Sequence, residues 1–141
     1  MIATTPLFAW KDSYTVQVRE MDLQHKRLVN TLNQLHEAMA GGQSNAAMLR
    51  ILCDLIQYTQ QHFAAEEQLM QKHGYARLAS HKLEHHELTQ RVLHFQEEFR
   101  AGKISLGPQV LQFLKHWLVD HIQGSDQLYG KFLRNTRPHS L

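Results

Sequence analysis

The sequence has one cysteine, Cys53, which excludes an intramolecular disulfide framework and a zinc site built on cysteine thiolates. That usage fits a reducing compartment. Breakers are also scarce: three prolines and seven glycines in 141 residues exclude a collagen-like or low-complexity chain. No apolar run approaches the ~18 residues a membrane span needs. The opening MIATTPLFAWKD has no positive region ahead of its short apolar stretch, so neither a secretory nor a transit signal is expected. The sequence therefore predicts a cytoplasmic location with no membrane insertion. Excess charge of one sign is missing as well, with 15 Lys+Arg against 13 Asp+Glu and no basic stripe. Nucleic acid is not an expected partner.

With 43% apolar residues and a length near the ~150 of a typical domain, the chain is expected to form one domain with a core of ordinary size. Histidine is the residue in excess, at eleven of 141. A globular core has no structural need for so many.

Residues 1–19 carry Pro6, Phe8, Trp10 and Tyr14 without helical spacing, which predicts an extended arm laid over the rest of the domain, its aromatics serving as packing residues. Beyond it, Gly41-Gly42, His73-Gly74 and the stretch from Gly102 to Gly107-Pro108 divide the chain into four long segments. Each shows apolar residues at alternating spacings of three and four, the stripe of a helix in a bundle. The first stripe is His25, Leu28, Leu32, Leu35, Met39; the second is Met48, Leu52, Leu55, Thr59, His62, Glu66, Leu69, His73. The third is Leu78, His81, His85, Leu88, Val92, Phe95, Phe99. The fourth begins Leu111, Leu114, Leu118, His121, then loses phase and resumes as Asp126, Tyr129, Leu133. No period-two segment of strand length occurs. The expected fold is all-α: an antiparallel up-down-up-down four-helix bundle over about 20–135, with the whole of 1–141 as a single domain.

Apart from His73 at the end of the second, the stripes carry five histidines and two carboxylates: His25, His62, Glu66, His81, His85, His121 and Asp126. The spacing of four in His62/Glu66 and His81/His85 puts both members of each pair on one helical face, one turn apart. A single His-x3-His pair is weak evidence, because about one is expected by chance at this histidine content. Antiparallel geometry is more demanding. It brings the start of the first helix, the end of the second, the start of the third and the end of the fourth to one end of the bundle, and all seven residues fall there. Such a set buried without a partner would cost about 1–3 kcal/mol or more for each unpaired group, so a metal site is expected. One detail demands an irregular helix. His121 and Asp126 are five residues apart, which leaves them about 140° apart on a regular helix. Both face inward only if a π-bulge or kink lies between them, near Gly124 and Ser125.

The stretches MDLQHKRLVNTLNQL (21–35), YTQQHFAAEEQLM (58–70), HKLEH (81–85) and WLVDHIQGSD (117–126) together resemble the single-domain bacterial hemerythrins, from Trp10 to about Tyr129. The resemblance implies two iron ions (Fe2+/Fe3+) joined by an oxo or hydroxo bridge. It assigns His81, His85 and His121 to one iron and His25 and His62 to the other, with Glu66 and Asp126 bridging. Two six-coordinate irons offer twelve positions; the imidazoles, the bridging carboxylates and the oxygen bridge occupy eleven, leaving one open on the two-histidine iron. O2 is the implied partner, with nitric oxide and small anions as further ligands of that position and any oxygen-consuming protein partner unspecified. The implied function is reversible O2 binding as a carrier, store or buffer, and not enzymatic catalysis. Neutral imidazoles and one open position favour this over the glutamate-rich di-iron enzymes. The alternatives are a di-iron enzyme (ferroxidase, peroxidase or nitric oxide reduction) and a sensor of O2, redox state or nitric oxide.

Leu28, Phe63, Trp117 and Leu118, close in sequence to the ligands, are expected to line a dry O2 pocket. The other histidines carry no expected role at the metal: His36, His86, His94 and His116 lie off the stripes, His73 ends its helix, and His139 lies in the tail. Cys53 is expected to be a small packing residue, and Gly130 is expected to weaken the last helix.

Overall fold

The computed structural model describes residues 8–105 and 107–136. Pro6 and His139 lie outside them. Helices α1 (Arg19–Ala40), α2 (Asn45–Lys72) and α3 (Leu78–Arg100) are followed by α4 (Pro108–Asp120), which continues through a π-helical segment (His121–Asp126) into α5 (Gln127–Thr136). No strand occurs among the described residues. The fold is the four-helix bundle, the fourth rod being α4, the π segment and α5 together.

Local chemistry sets the helix ends. The Ser44 hydroxyl accepts from the Ala47 amide at 3.1 Å, satisfying one of the free N–H groups that open α2. Pro108 occupies the first turn of α4, where no N–H partner is lost. Gly42 and Gly74, just past the ends of α1 and α2, take φ values of +69° and +65° that reverse the chain.

The stripes become the core. Leu28, Leu32 and Leu35 of α1, Leu52 and Leu55 of α2, Leu88 and Val92 of α3, and Leu111, Leu114 and Leu118 of α4 are all buried. Burial of each such side chain contributes about 1.5–3 kcal/mol. The stripe residues Met39, Leu69, Leu78 and Phe95 are only partly buried.

The arm is held by specific contacts. Phe8 and Asn33 exchange two hydrogen bonds, at 2.9 and 2.7 Å. The Asp22 carboxylate accepts from the Val16 amide at 2.8 Å and from the Thr15 hydroxyl at 2.5 Å. From the far side, Gln127 donates to the Thr15 carbonyl at 2.7 Å and Arg134 to the Val16 carbonyl at 2.5 Å. The arm thus ties the start of α1 to α5. It is not extended throughout, because Asp12–Tyr14 forms one 3-10 turn.

Gly130 requires a correction. Helix α5 runs through it without interruption, and a Cβ there would lie 2.5 Å from the Val16 carbonyl oxygen. The residue is small because the arm passes against the helix backbone, a constraint from tertiary packing that outweighs its low helix propensity.

Candidate metal centre

His25, His62, Glu66, His81, His85, His121 and Asp126 meet at one end of the bundle, each 3% exposed or less. Their ligand atoms form two groups, Glu66 with His81, His85 and His121, and Glu66 and Asp126 with His25 and His62. Each group's atoms lie within 4.8 Å of one another. Glu66 turns Oε1 toward His81 Nε2 (2.5 Å) and His85 Nε2 (3.1 Å), and Oε2 toward His62 Nε2 (3.0 Å). Asp126 does the same, with Oδ1 near His81 Nε2 (3.0 Å) and His121 Nε2 (3.1 Å) and Oδ2 near His25 Nε2 (2.8 Å). Both carboxylates divide their oxygens between the groups, as bridging ligands do.

The expected irregularity is present and performs the expected task. His121–Asp126 is π-helical. Hydrogen bonds from i to i+5 bring residues five apart close to one turn of separation. His121 and Asp126 therefore both face inward, at 2% and 0% exposure.

These residues fit metal ions better than they fit one another. His25 Nε2, His62 Nε2, Glu66 Oε2 and Asp126 Oδ2 are buried without a hydrogen-bond partner. Two of the contacts among them are short, at 2.8 and 3.0 Å, yet lie off the hydrogen-bond axis. The atoms converge on common points instead of pairing. A nitrogen and oxygen donor set of this kind suits iron among other first-row metals.

The electrostatics agree. Burial works against a charged His81 ring, but hydrogen bonds and charge from Asp126 and Glu66 overcome it and raise its pKa from 6.5 to about 9. His121 is likewise buried, and Asp126, Glu66 and Glu84 hold its pKa well above the usual value. Burial opposes ionisation of Glu66, yet the rings of His121, His62, His81 and His85 around it bring its pKa well below the ordinary carboxylate value. Without metal, the two buried carboxylates draw protons onto the rings; the site is built for positive charge.

Three residues outside the apolar stripes orient the rings. Gln24 Oε1 lies 2.5 Å from His62 Nδ1, Glu67 Oε2 lies 2.8 Å from His85 Nδ1, and Glu84 Oε1 lies 2.9 Å from His121 Nδ1. Each helix reaches to a ligand on the next. Ser125 in the π segment donates to both Glu84 oxygens, at 3.0 and 2.8 Å. A signal existed: Gln24, Glu67 and Glu84 each adjoin a stripe ligand in sequence, namely His25, Glu66 and His85.

Beside the cluster, Leu28, Trp117 and Leu118 line an apolar cavity of about 30 Å³, with Thr59, Leu88 and Leu114 among its other walls. Leu28, Thr59, Leu88 and Leu118 are each three residues, about one turn, from a histidine of the cluster. Phe63 is not on this wall. Its ring stacks on His85, with centroids 3.7 Å apart and planes 5° apart, and it lines an open groove between α2 and α3. Trp117 stacks similarly on His121, at 4.6 Å and 15°.

The hemerythrin HHE cation binding domain matches residues 16–133. The chain belongs to the hemerythrin family. A bacteriohemerythrin of Stenotrophomonas maltophilia is 36% identical over 124 residues, covering 88% of this chain and 80% of the relative. One from Methylococcus capsulatus is 39% identical over 112 residues, covering 79% and 85%. A wild-type hemerythrin crystal structure superposes with a TM-score of 0.84 at 36% identity, covering 89% of this chain and 96% of the other. As a hemerythrin, the chain is a protein of the di-iron, O2-binding type, and its histidine and carboxylate cluster is able to hold the metal ions.

The remaining histidines of this hemerythrin stand apart. His94 pairs with Glu98 at 2.8 Å on the exposed face of α3, and His73 caps the end of α2. His86 and His116 are exposed and His36 is partly buried. Cys53 is partly buried and accepts from Gln96 Nε2 at 3.1 Å. No helix among the described residues is long and apolar enough to cross a membrane.

Proposed function

We propose that this hemerythrin binds O2 reversibly, as a carrier, store or buffer, at two irons held by His81, His85 and His121 on one side and by His25 and His62 on the other. Glu66 and Asp126, each facing both groups, would be held in common by the two. The observation that carries the assignment is the division of each carboxylate's two oxygens between the two groups, at 2.5–3.1 Å from their imidazole nitrogens. A bound di-iron pair would supply two electrons and a coordination position for a small ligand.

The chain supplies everything else. Five imidazoles and two carboxylates, all buried, would take nine of twelve positions and an oxygen bridge two more, so a second substrate has no coordination site and reversible binding is favoured over turnover. Leu28, Trp117 and Leu118 give the region an apolar wall. Such a wall excludes water and anions, whose entry would promote loss of the oxygen in reduced form and leave the centre oxidised. Glu67 and Glu84 accept the Nδ1 protons of His85 and His121, which leaves both Nε2 atoms free to ligate.

Iron analysis followed by anaerobic reduction, oxygenation and deoxygenation, watched in the visible, tests the reading. The expected result is about two irons per chain and an absorption band that appears with O2 and disappears on its removal, over repeated cycles. A single irreversible oxidation accompanied by catalytic O2 consumption would overturn it in favour of an enzyme.

A further inference from the structure

The residues behind the ligands are unequal in charge. In the three-histidine group, His85 and His121 each face a carboxylate at Nδ1, from Glu67 and Glu84 at 2.8 and 2.9 Å. In the two-histidine group, His62 faces the neutral amide of Gln24 at 2.5 Å. The fully buried His25 of that group has no hydrogen-bond partner at Nδ1. Two negative charges therefore stand behind one metal position and none behind the other. The cluster's own carboxylates do not cancel this difference, since Glu66 and Asp126 give one oxygen to each side.

A carboxylate at Nδ1 pulls on the ring proton and makes the opposite nitrogen a more basic donor. An amide fixes the same ring orientation without that charge, and its hydrogen bond is about half as strong. Donor strength stabilises the higher oxidation state of the metal that receives it. Resting on the proposed di-iron function, we infer that Gln24, Glu67 and Glu84 are positioning residues whose one-sided charge makes the three-histidine iron ferric first. The iron carrying the open position then stays ferrous in the half-oxidised protein. Gln24 keeps His62 a neutral donor, and the site that receives O2 keeps the electron that O2 requires.

The alternative is that the three residues only hold the rings in place. Charge and shape separate in Gln24→Glu, which adds a carboxylate at unchanged length, and in Glu84→Gln and Glu67→Gln, which remove one while keeping an acceptor. The iron-loaded full chain is titrated between its reduced and oxidised forms, and the half-oxidised form is then given azide, which shows an azide-to-iron absorption only at ferric iron with an open position. For the parent protein no such band is expected at half oxidation. Gln24→Glu is expected to shift the oxidised-to-reduced ratio at a fixed potential about tenfold toward oxidised, the difference between a charge-assisted and a neutral hydrogen bond, and to bring the band up. Glu84→Gln and Glu67→Gln are expected to shift the ratio the other way. If all three variants stay within about twofold of the parent, or if the half-oxidised parent already shows the band, the inference is overturned while reversible O2 binding stands. If the parent takes up no iron pair, both fall together.

Discussion

Removing the metal should make the protein sensitive to alkali. In the metal-free chain, positive charge at the buried carboxylates comes from protons on the rings, most clearly on His81, whose pKa rises from 6.5 to about 9. A group with a raised pKa in the folded state stabilises it fully below the unfolded value and loses that contribution as pH rises through the folded value. The window is therefore pH 6.5 to 9. The rise corresponds to about 3 kcal/mol as an upper bound, and the effective dielectric of a protein interior brings the expected loss to about 1–2 kcal/mol. His121, raised in the same direction by Asp126, Glu66 and Glu84, adds to the loss. At the acid end, Glu66 is held well below its ordinary value, so its contribution is present above about pH 4.5 and disappears as pH falls further. With metal bound the rings are neutral ligands and the alkaline loss is absent.

The assay is urea unfolding of chelator-treated and iron-loaded protein at several pH values between 5 and 9.5, with proton release on iron loading at pH 7 as a second readout. The metal-free form should be most stable between about pH 4.5 and 6.5 and weaken above that range, and loading should release about two protons. Equal pH profiles with and without metal, or loading without proton release, would refute the argument that the cluster holds protons in place of metal.

Three further outcomes are expected. Leu118→Ala enlarges the cavity beside His121 and should destabilise the fold by about 3 kcal/mol; it should also speed irreversible oxidation of the O2-bound form, and an unchanged decay of the visible band would remove Leu118 from the pocket. Asp126→Asn keeps the side chain's shape but removes the charge near His25, His81 and His121, and should lower the iron content from about two to about one per chain; a retained pair would show that Asp126 is not a bridge. Gly130→Ala puts a methyl 2.5 Å from the Val16 carbonyl. It should cost about 1–3 kcal/mol and speed tryptic cleavage after the exposed Lys11, whereas unchanged cleavage would mean the arm does not need the glycine.

What the sequence disclosed follows from which constraints are local. The stripe His81, His85, Leu88, Val92 repeats with the helix itself, so its inward face is legible without knowing its neighbours. The phase break between His121 and Asp126 is legible for the same reason, as a conflict between two inward residues and a regular helix. Phe63 is less legible because adjacency in sequence is about 100° of rotation on a helix; next to His62, its ring stacks on His85 and touches Trp117. Gln24, Glu67 and Glu84 were hidden differently. Each lies at the edge of its stripe, where a polar residue reads as a solvated face, and only the placement of the next helix shows which ring it meets. Gly130 depends on the arm more than one hundred residues earlier in the chain, which no local pattern contains.

The π segment ties these observations into one device. A regular helix from His121 onward could present either that ring or the Asp126 carboxylate to the interior, and the bundle would then hold one metal well and the other poorly. One additional residue in the turn admits both, and the same residue changes what else the turn offers. Ser125 comes to face α3, where its hydroxyl donates to both oxygens of Glu84, the carboxylate that orients His121. The buried His121 ring, the Asp126 carboxylate that meets both groups and the serine that holds Glu84 thus come from six consecutive residues. Beyond them, Gln127 and Arg134 hold the arm at Thr15 and Val16, and the arm in turn is fixed to Asp22, one turn before His25. The irregular turn is thereby held on its inner side by the histidine and carboxylate cluster and on its outer side by the arm, and the extra residue falls where both His121 and Asp126 must face inward.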